Sequence, residues 1–380
     1  MIKINSPVSI LEFGSSYLRL AVYDKSILNK KVFYEERNNN IINKIKNEDN
    51  NLFKLIINVE KDIGQHLKEI ILVLDSTSIH SLDFSLKKNY EKKLFLKDDL
   101  DQFINESEQI IKKFNKNKII LHTIISKIII DDKVFEQLKD VSIIVSKVVI
   151  EFKFIIIEEL NLNFIKNLLL NKHISIKNVY CASYINSLNL VNKMEKSKYI
   201  SFIDIGLNKS SISIFNENKL AYINNTHIGG RHITNDISKI LNLDYNKAEV
   251  EKLNFSKLNK INNNNENNEL LKKIINSRVE EIIELLFSNC PLLKNNTFDN
   301  DLKLYFLGNG SKVLNENLLS FGSDFSFINE MSIINQKKED CCEATIKFIN
   351  SDEKIQPKKI NLSLENKGFF EKLFEYFSIK

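Results

Sequence analysis

The apolar positions of this chain follow two periods, and their order predicts alternating strands and helices. SPVSILEFGSSYLRLAVYD, residues 6 to 24, predicts a strand, a Gly-Ser-Ser turn and a second strand, and an apolar run IILVLD follows at 70 to 75 before a polar gap. In KDDLDQFINESEQIIKKF (97 to 114), Leu100, Phe103, Ile104, Ser107, Ile110, Ile111 and Phe114 recur at helical spacing behind Asp98 and Asp99. That pattern predicts an amphipathic helix with an acidic start. Strand-like runs at 119 to 130 and 141 to 157 make residues 83 to 157 a small sheet with one helix, inserted as a subdomain. LNFIKNLLLNK (161 to 171) is helical in pattern, and VYCASYINSLNLV (179 to 191) leads into KYISFIDIGLNKSSISIFNENKL (198 to 220), two short strands about a turn. Helical periods follow at 232 to 243, 246 to 253 and 268 to 287, then a strand KLYFLG and a turn GNGS. From about 350 the periodicity vanishes, as expected of a flexible linker. In the closing GFFEKLFEYFSIK, Phe369, Phe370, Leu373, Phe374 and Phe377 share one helical face, with Glu371, Lys372, Glu375 and Ser378 opposite.

Composition narrows the class. The 380 residues suffice for two or three lobes, and 43% apolar with 27% charged residues is a soluble globular balance. A net charge of +5, without a basic stripe interleaved with aromatics, gives no reason to expect a nucleic-acid partner. Lys, Asn and Ile are abundant, Gly and Pro scarce and Trp absent, the mark of an AT-biased genome. The Asn run at 261 to 270 is accordingly read as drift in a tolerant loop. Arginine is rare: Arg19, Arg37, Arg231 and Arg278. Cys181, Cys290, Cys341 and Cys342 form no CxxC pair and the histidines show no metal-ligand spacing, so a reduced cytosolic compartment is expected. The N-terminus has no uninterrupted apolar region of the secretory type, and Lys147, Glu151 and Lys153 interrupt the most apolar internal stretch.

Three turns each follow an apolar strand: EFGSSYLRL (12 to 20), DIGLNKSSI (204 to 212) and LGNGSK (307 to 312). Taken singly, each is an ordinary hairpin or strand-end turn. Their order and spacing resemble the actin-like ATPase fold, an α/β architecture of two lobes around a nucleotide cleft, and within it the FtsA family of bacterial cell-division actin homologues. Further residues carry the resemblance: Gly229, Gly230, His232, Thr234, Asp236 and Ile237; Ala248, Glu249 and Lys252; the Leu-His strand at 121 to 132; and the Arg-containing helix at 277 to 283.

The resemblance implies an arrangement of domains. Residues 1–82, 158–190 and 330–349 would form lobe 1A, 83–157 the inserted subdomain 1C, 191–226 with 284–329 lobe 2A, and 227–283 subdomain 2B. A linker (350–367) and a membrane-targeting amphipathic helix (368–380) would follow. It also implies a nucleotide site of Gly14, Ser15, Ser16, Asp204, Gly206, Asn208, Lys209, Ser210, Gly229, Gly230, Glu249, Lys252, Gly308, Asn309 and Gly310. Backbone N–H groups of the two hairpins would face phosphate, and Asp204 would hold Mg²⁺ through water. No catalytic residue stands out, so at most a weak ATPase is expected.

The sequence departs from the family pattern at Glu12, usually Asp, at Leu207 and Asn208, usually small, and at Asn309. Asn tolerates positive φ, so Asn208 and Asn309 can preserve the turns. Leu207 either points off the nucleotide or narrows the pocket, and Lys209 either supplies a cation to the cradle or is a solvated turn lysine.

By resemblance the chain is an adaptor that polymerises and links FtsZ to the cytoplasmic face of the inner membrane at the division site, with ATP and Mg as cofactors. The FtsZ C-terminal tail would dock on 227–283, other division proteins being possible partners. There Arg278 is either the contact for a tail carboxylate or the partner of Glu281 on its own helix surface. The apolar stripe of the tail is a marginal lipid anchor alone and becomes firm when many are linked. Two alternatives stay open: a pilus-assembly relative of the same fold, and a sugar-kinase-type enzyme, for which no cleft carboxylate or substrate pocket can be named.

Overall fold

A computed structural model describes residues 7–24, 30–38, 50–135, 143–195, 197–258, 266–294, 298, 301–314 and 325–351. The linker beyond 351 and the amphipathic segment 368–380, with Phe369, Phe370, Leu373, Phe374 and Phe377, lie outside the described residues.

The first sheet is built from β1 (Val8–Phe13), β2 (Tyr17–Tyr23), β3 (Lys30–Arg37), β4 (Glu69–Leu74) and β9 (Ser175–Cys181), in the order β3-β2-β1-β4-β9. Its first three strands are antiparallel, and β4 and β9 add in parallel. α1 (Asn50–Ile63) precedes β4, and α4 (Ala182–Val191) follows β9. The second sheet repeats this plan. It comprises β10 (Tyr199–Ile205), β11 (Ser210–Asn216), β12 (Lys219–Thr226), β13 (Leu302–Leu307) and β14 (Ile328–Ile333), in the order β12-β11-β10-β13-β14. Again three antiparallel strands are extended by two parallel ones, and α9 (Asp340–Asn350) follows the last. A β-meander fed into parallel crossovers requires helical connections, which the helical periods between the strands supply.

Between β4 and β9 the chain forms a third, antiparallel sheet of β5 (His80–Phe95), β6 (Lys118–Ile130), β7 (Lys133–Phe135) and β8 (Ile143–Glu158), ordered β5-β8-β6-β7. α2 (Lys97–Phe114) packs on it, burying Phe103 and Ile111. The acidic start of α2 has a defined use: Asp99 Oδ2 accepts the Leu96 N–H at 2.8 Å, covering a donor the helix leaves open. The polar gap after IILVLD is a short turn followed by β5, a long edge strand whose outer positions are polar and lysine-rich. Such charge blunts an edge against pairing with other chains and also hides the alternation that marks a strand. α3 (Glu159–Leu170) leads back to β9.

After the second sheet's meander come α5 (Gly230–Ile240), α6 (Tyr245–Leu258), α7 (Glu266–Phe287) and α8 (Pro291–Lys294). α5, α6 and α7 bury Ile233, Ile237, Ala248, Phe255, Ile275, Val279 and Ile282 against one face of the second sheet, with Ile203 and Ile205 of β10. The alternate β10 residues, Ile200 and Phe202, belong to the other core, which joins the first sheet to the helix pair α4 and α9. Each of these helices reaches across to the other sheet: α4 packs on β11 and β10 as well as on β9, α9 on β1 and β2, and the two pack together. The period-2 geometry of β10 thus turns Asp204, two residues after Phe202, toward the first sheet.

Candidate functional site

The two sheets present equivalent hairpins to one another. In the β1–β2 turn the Gly14 N–H donates to the Tyr17 carbonyl at 3.1 Å, and in the β10–β11 turn the Gly206 N–H donates to the Lys209 carbonyl at 2.9 Å. The turns approach closely, since a methyl group built on Gly206 would lie 3.9 Å from Ser15 Oγ. Among the described residues, the N–H groups of Ser15, Ser16, Leu207 and Asn208 have no backbone acceptor. The carbonyl side of each turn is occupied: Asn38 Nδ2 donates to the Gly14 carbonyl at 2.6 Å, while the Gly206 and Leu207 carbonyls accept the Gly230 and Arg231 N–H groups, both at 2.8 Å. Leu207 therefore holds the start of α5 through its backbone.

That stitching gives the paired glycines a structural role. A Cβ on Gly229 would meet the Gly206 carbonyl at 2.6 Å and the Lys209 nitrogen at 2.7 Å, so α5 sits against the hairpin only because that atom is missing. Ser210 Oγ adds a bond to the Ile228 carbonyl at 2.8 Å. On the other side of Asp204, η1 (Gly310–Val313) follows β13. Gly308 has φ +82, and a Cβ there would fall 2.2 Å from Asp204 Oδ1. Gly310 packs on Ile205, where a Cβ would meet the Ile205 carbonyl at 2.6 Å. Asn309 is right-handed, with φ −71, and Asn208 is not among the described residues of positive φ. Neither asparagine supplies the left-handed conformation expected of it; the only left-handed φ in these turns falls on Gly308.

The cleft gathers charge. Register places Glu12, Arg19 and Glu35 side by side on β1, β2 and β3, and Arg19 bridges the two carboxylates at 2.7 Å each. Asp204 occupies in the second hairpin the position of Glu12 in the first. Burial, reinforced by Asp75, pushes Asp204 up to about 6, with Lys209 and Arg19 opposing. Burial pushes Glu12 up to about 7 against the pull of Arg19, with Asp204 and Asp75 adding to the rise. Asp75, just past β4, was missed in the sequence pattern; a carboxylate closing the buried apolar run 70–74 was the available signal. Lys209 is not a solvated turn lysine. Its side chain is 16% exposed, 3.7 Å from Asp75 Oδ2, and its Nζ has no hydrogen-bond acceptor among the described residues. Open turn N–H groups beside an under-satisfied ammonium form a receptor for oxyanions.

Glu249 and Lys252 of α6 lie beside the start of α5. Lys252, almost fully buried, donates to Glu249 at 2.6 Å, Thr234 Oγ1 at 2.7 Å and the Gly230 carbonyl at 3.2 Å, and Thr234 donates to the same Glu249 oxygen. Three donors meet three protein acceptors, so Lys252 braces α5 against α6. Arg278 of α7 donates twice to Asp236 of α5 and once to Glu281. Both readings of this arginine gain a constraint, since its fork is already filled from within. All four cysteines are buried and free. Among the described residues no group of three or more His, Cys, Asp or Glu side chains is placed to hold a metal, and no helix is long and apolar enough to cross a membrane.

Paired sheets of one topology, hairpins opposed across a cleft and a glycine turn behind Asp204 define an actin-like ATPase fold. The solved "PilM-PilN type IV pilus biogenesis complex" is similar, at TM-score 0.56 and 16% identity, covering 89% of each chain. The AMPPNP-bound MreB 5 of Spiroplasma citri aligns at TM-score 0.48 and 11% identity, covering 90% of this chain and 96% of that one. No curated protein matches in sequence. Residues 201–315 match the family described as cell division protein FtsA, to which that segment is similar.

Proposed function

We propose that the chain is a division adaptor that binds ATP in the cleft, assembles into actin-like filaments and tethers FtsZ filaments to the cytoplasmic face of the membrane through residues 368–380. The observation that carries this reading is the FtsA match itself, which runs from β10 through η1 and so takes in the second hairpin, α5, α6, α7 and the Gly308 turn.

The residues present fit a nucleotide phosphate. Turn N–H groups at Ser15, Ser16, Leu207 and Asn208 would receive its oxygens, and Lys209 would supply the counter-charge. Mg²⁺ would be held by Asp204 through water. Bound MgATP would bring negative charge between the two hairpins, and no residue is assigned to its hydrolysis. Glu249 and Lys252 would act on the nucleotide indirectly, by fixing α5 and with it the hairpin. The FtsZ tail would dock on 227–283. There a tail carboxylate reaching Arg278 must exchange with Asp236 or Glu281.

Lipid binding rests on the five-residue stripe. Burying one Phe or Leu stabilises by about 1.5 to 3 kcal/mol at full depth, and a short helix must also be ordered, so a single tail binds reversibly and an array binds firmly. A second reading, a pilus-assembly relative, is favoured by the whole-chain fold likeness to the PilM-PilN complex. Co-flotation decides between them. With liposomes, purified FtsZ and MgATP, the full chain should carry FtsZ to the lipid and a chain ending at Asn366 should not. FtsZ that stays in the aqueous layer with the full chain refutes the adaptor.

A further inference from the structure

Asp75 is anchored in one lobe and faces the other. Its Oδ1 accepts the N–H and the hydroxyl of Ser183, in the first turn of α4, at 3.1 Å each, and the Cys181 thiol at 3.5 Å. Those bonds fix the carboxylate to the end of β4 and leave Oδ2 for Lys209, which projects from the opposite hairpin to within 3.7 Å. Both side chains are largely buried, at 13% and 16% exposure. The separation suits attraction between charges yet exceeds hydrogen-bond reach, and Lys209 Nζ has no other acceptor among the described residues. An ammonium withdrawn from water with its donors unmatched is costly, and it is open to any stronger acceptor that enters. A phosphate oxygen is such an acceptor. A separate contact between the lobes, Asn225 Nδ2 donating to the Ile79 carbonyl at 2.6 Å, ties β12 to the loop after β4 without involving Lys209. Loss of the ion pair would therefore release the hairpin turn from the first lobe, while its bonds to the start of α5 persist, and leave the lobes attached.

We propose that Asp75 and Lys209 form a cross-cleft latch: in the empty cleft Asp75 positions the ammonium, and a phosphate of the nucleotide releases the latch by taking Lys209 for itself. The latch makes occupancy mechanical, since the second hairpin is held by the first lobe when empty and by the ligand when full. Release by phosphate rests on the ATP reading above, whereas the latch in the empty protein does not.

Asp75→Asn is the informative change. It keeps an oxygen for Ser183 and Cys181 and turns an NH₂ group toward Lys209. In the nucleotide-free full chain, amide hydrogen exchange at Gly206, whose N–H donates to the Lys209 carbonyl, should quicken by about tenfold in both Asp75→Asn and Lys209→Met, a factor equal to loss of one modest ion pair. Unchanged exchange in Asp75→Asn overturns the latch. Calorimetric titration with MgATP should show Asp75→Asn binding about tenfold tighter than wild type, Lys209→Met weaker, and the double variant no tighter than Lys209→Met. Equal tightening on the Lys209→Met background, or weaker binding by Asp75→Asn alone, overturns release by phosphate. If exchange quickens as expected while no protein binds MgATP, the latch stands, and its release by nucleotide falls together with the ATP reading.

Discussion

Arg278 grips Asp236 with two parallel hydrogen bonds, Nε to Oδ2 at 2.6 Å and Nη2 to Oδ1 at 2.9 Å, and so bolts α7 to α5. Lysine cannot reproduce a planar fork. Arg278→Lys should lower stability by about 1 kcal/mol, a value set by the partial exposure of both groups. In denaturant titrations, Asp236→Asn should cost a similar amount and the double variant little more than either single one. Additive losses would show that the two side chains stabilise the fold separately.

Lys252→Met should be more damaging than its surface-lysine character suggests. The change removes the ammonium that Glu249, Thr234 and the Gly230 carbonyl share and leaves Thr234 as the one side-chain donor to both acceptors, which costs roughly 1 to 3 kcal/mol. The melting temperature of the purified variant reports this directly, and a fall no larger than that of an exposed control such as Lys247→Met would contradict it.

Gly308→Ala combines a strained φ with a methyl group aimed at Asp204 Oδ1. Backbone strain alone is about 1 to 2 kcal/mol. Asp204 must also move, so MgATP affinity should drop together with stability; an alanine variant with wild-type affinity would show that Asp204 takes no part in holding Mg²⁺.

His122 is held neutral by burial, which lowers it to about 3, and its Nε2 accepts the Cys181 N–H at 2.9 Å. Between about 3 and the unfolded value of 6.5 the unfolded chain binds more protons at this site than the folded one, so its contribution to stability is full above 6.5 and is lost as pH falls. Glu12 and Asp204, raised to about 7 and about 6, act in the opposite sense: the folded state binds the extra proton, and their contribution falls as pH rises through that range. Across pH 4.5 to 6.5 the terms oppose. His122→Gln, which keeps an acceptor for Cys181, should gain stability relative to wild type on acidification, at up to about 1.4 kcal/mol per pH unit. A constant difference between the two proteins across this range would rule out a neutral buried His122.

The elements easiest to read in the sequence were those whose pattern and burial agree. α2 spans Lys97–Phe114 as its spacing predicts, because Phe103 and Ile111 fall on the stripe that the third sheet covers. β5 was hidden for the converse reason, an edge strand with lysines on its open side. The three turns were visible as glycine after apolar strands, yet which residue takes the left-handed conformation was not: Asn309 and Gly308 are adjacent, and only the contact with Asp204 distinguishes them. The partners of Asp75 and of Lys252 could not be read from pattern alone. Asp75 meets Ser183 and Lys209 far along the chain, and Lys252 joins Glu249 of its own helix to Gly230 and Thr234 of α5, contacts that no periodicity marks.

The crossed seating of α4 and α9 has a consequence for how the chain could be divided. Severed in the connection after α4, the N-terminal piece would keep α4 and lose β10 and β11 on which it lies, while the C-terminal piece would keep α9 and lose its bed of β1 and β2. Each fragment would carry a greasy helix cut for the other's surface. Produced separately they should aggregate, and produced together they should reassemble into one soluble body.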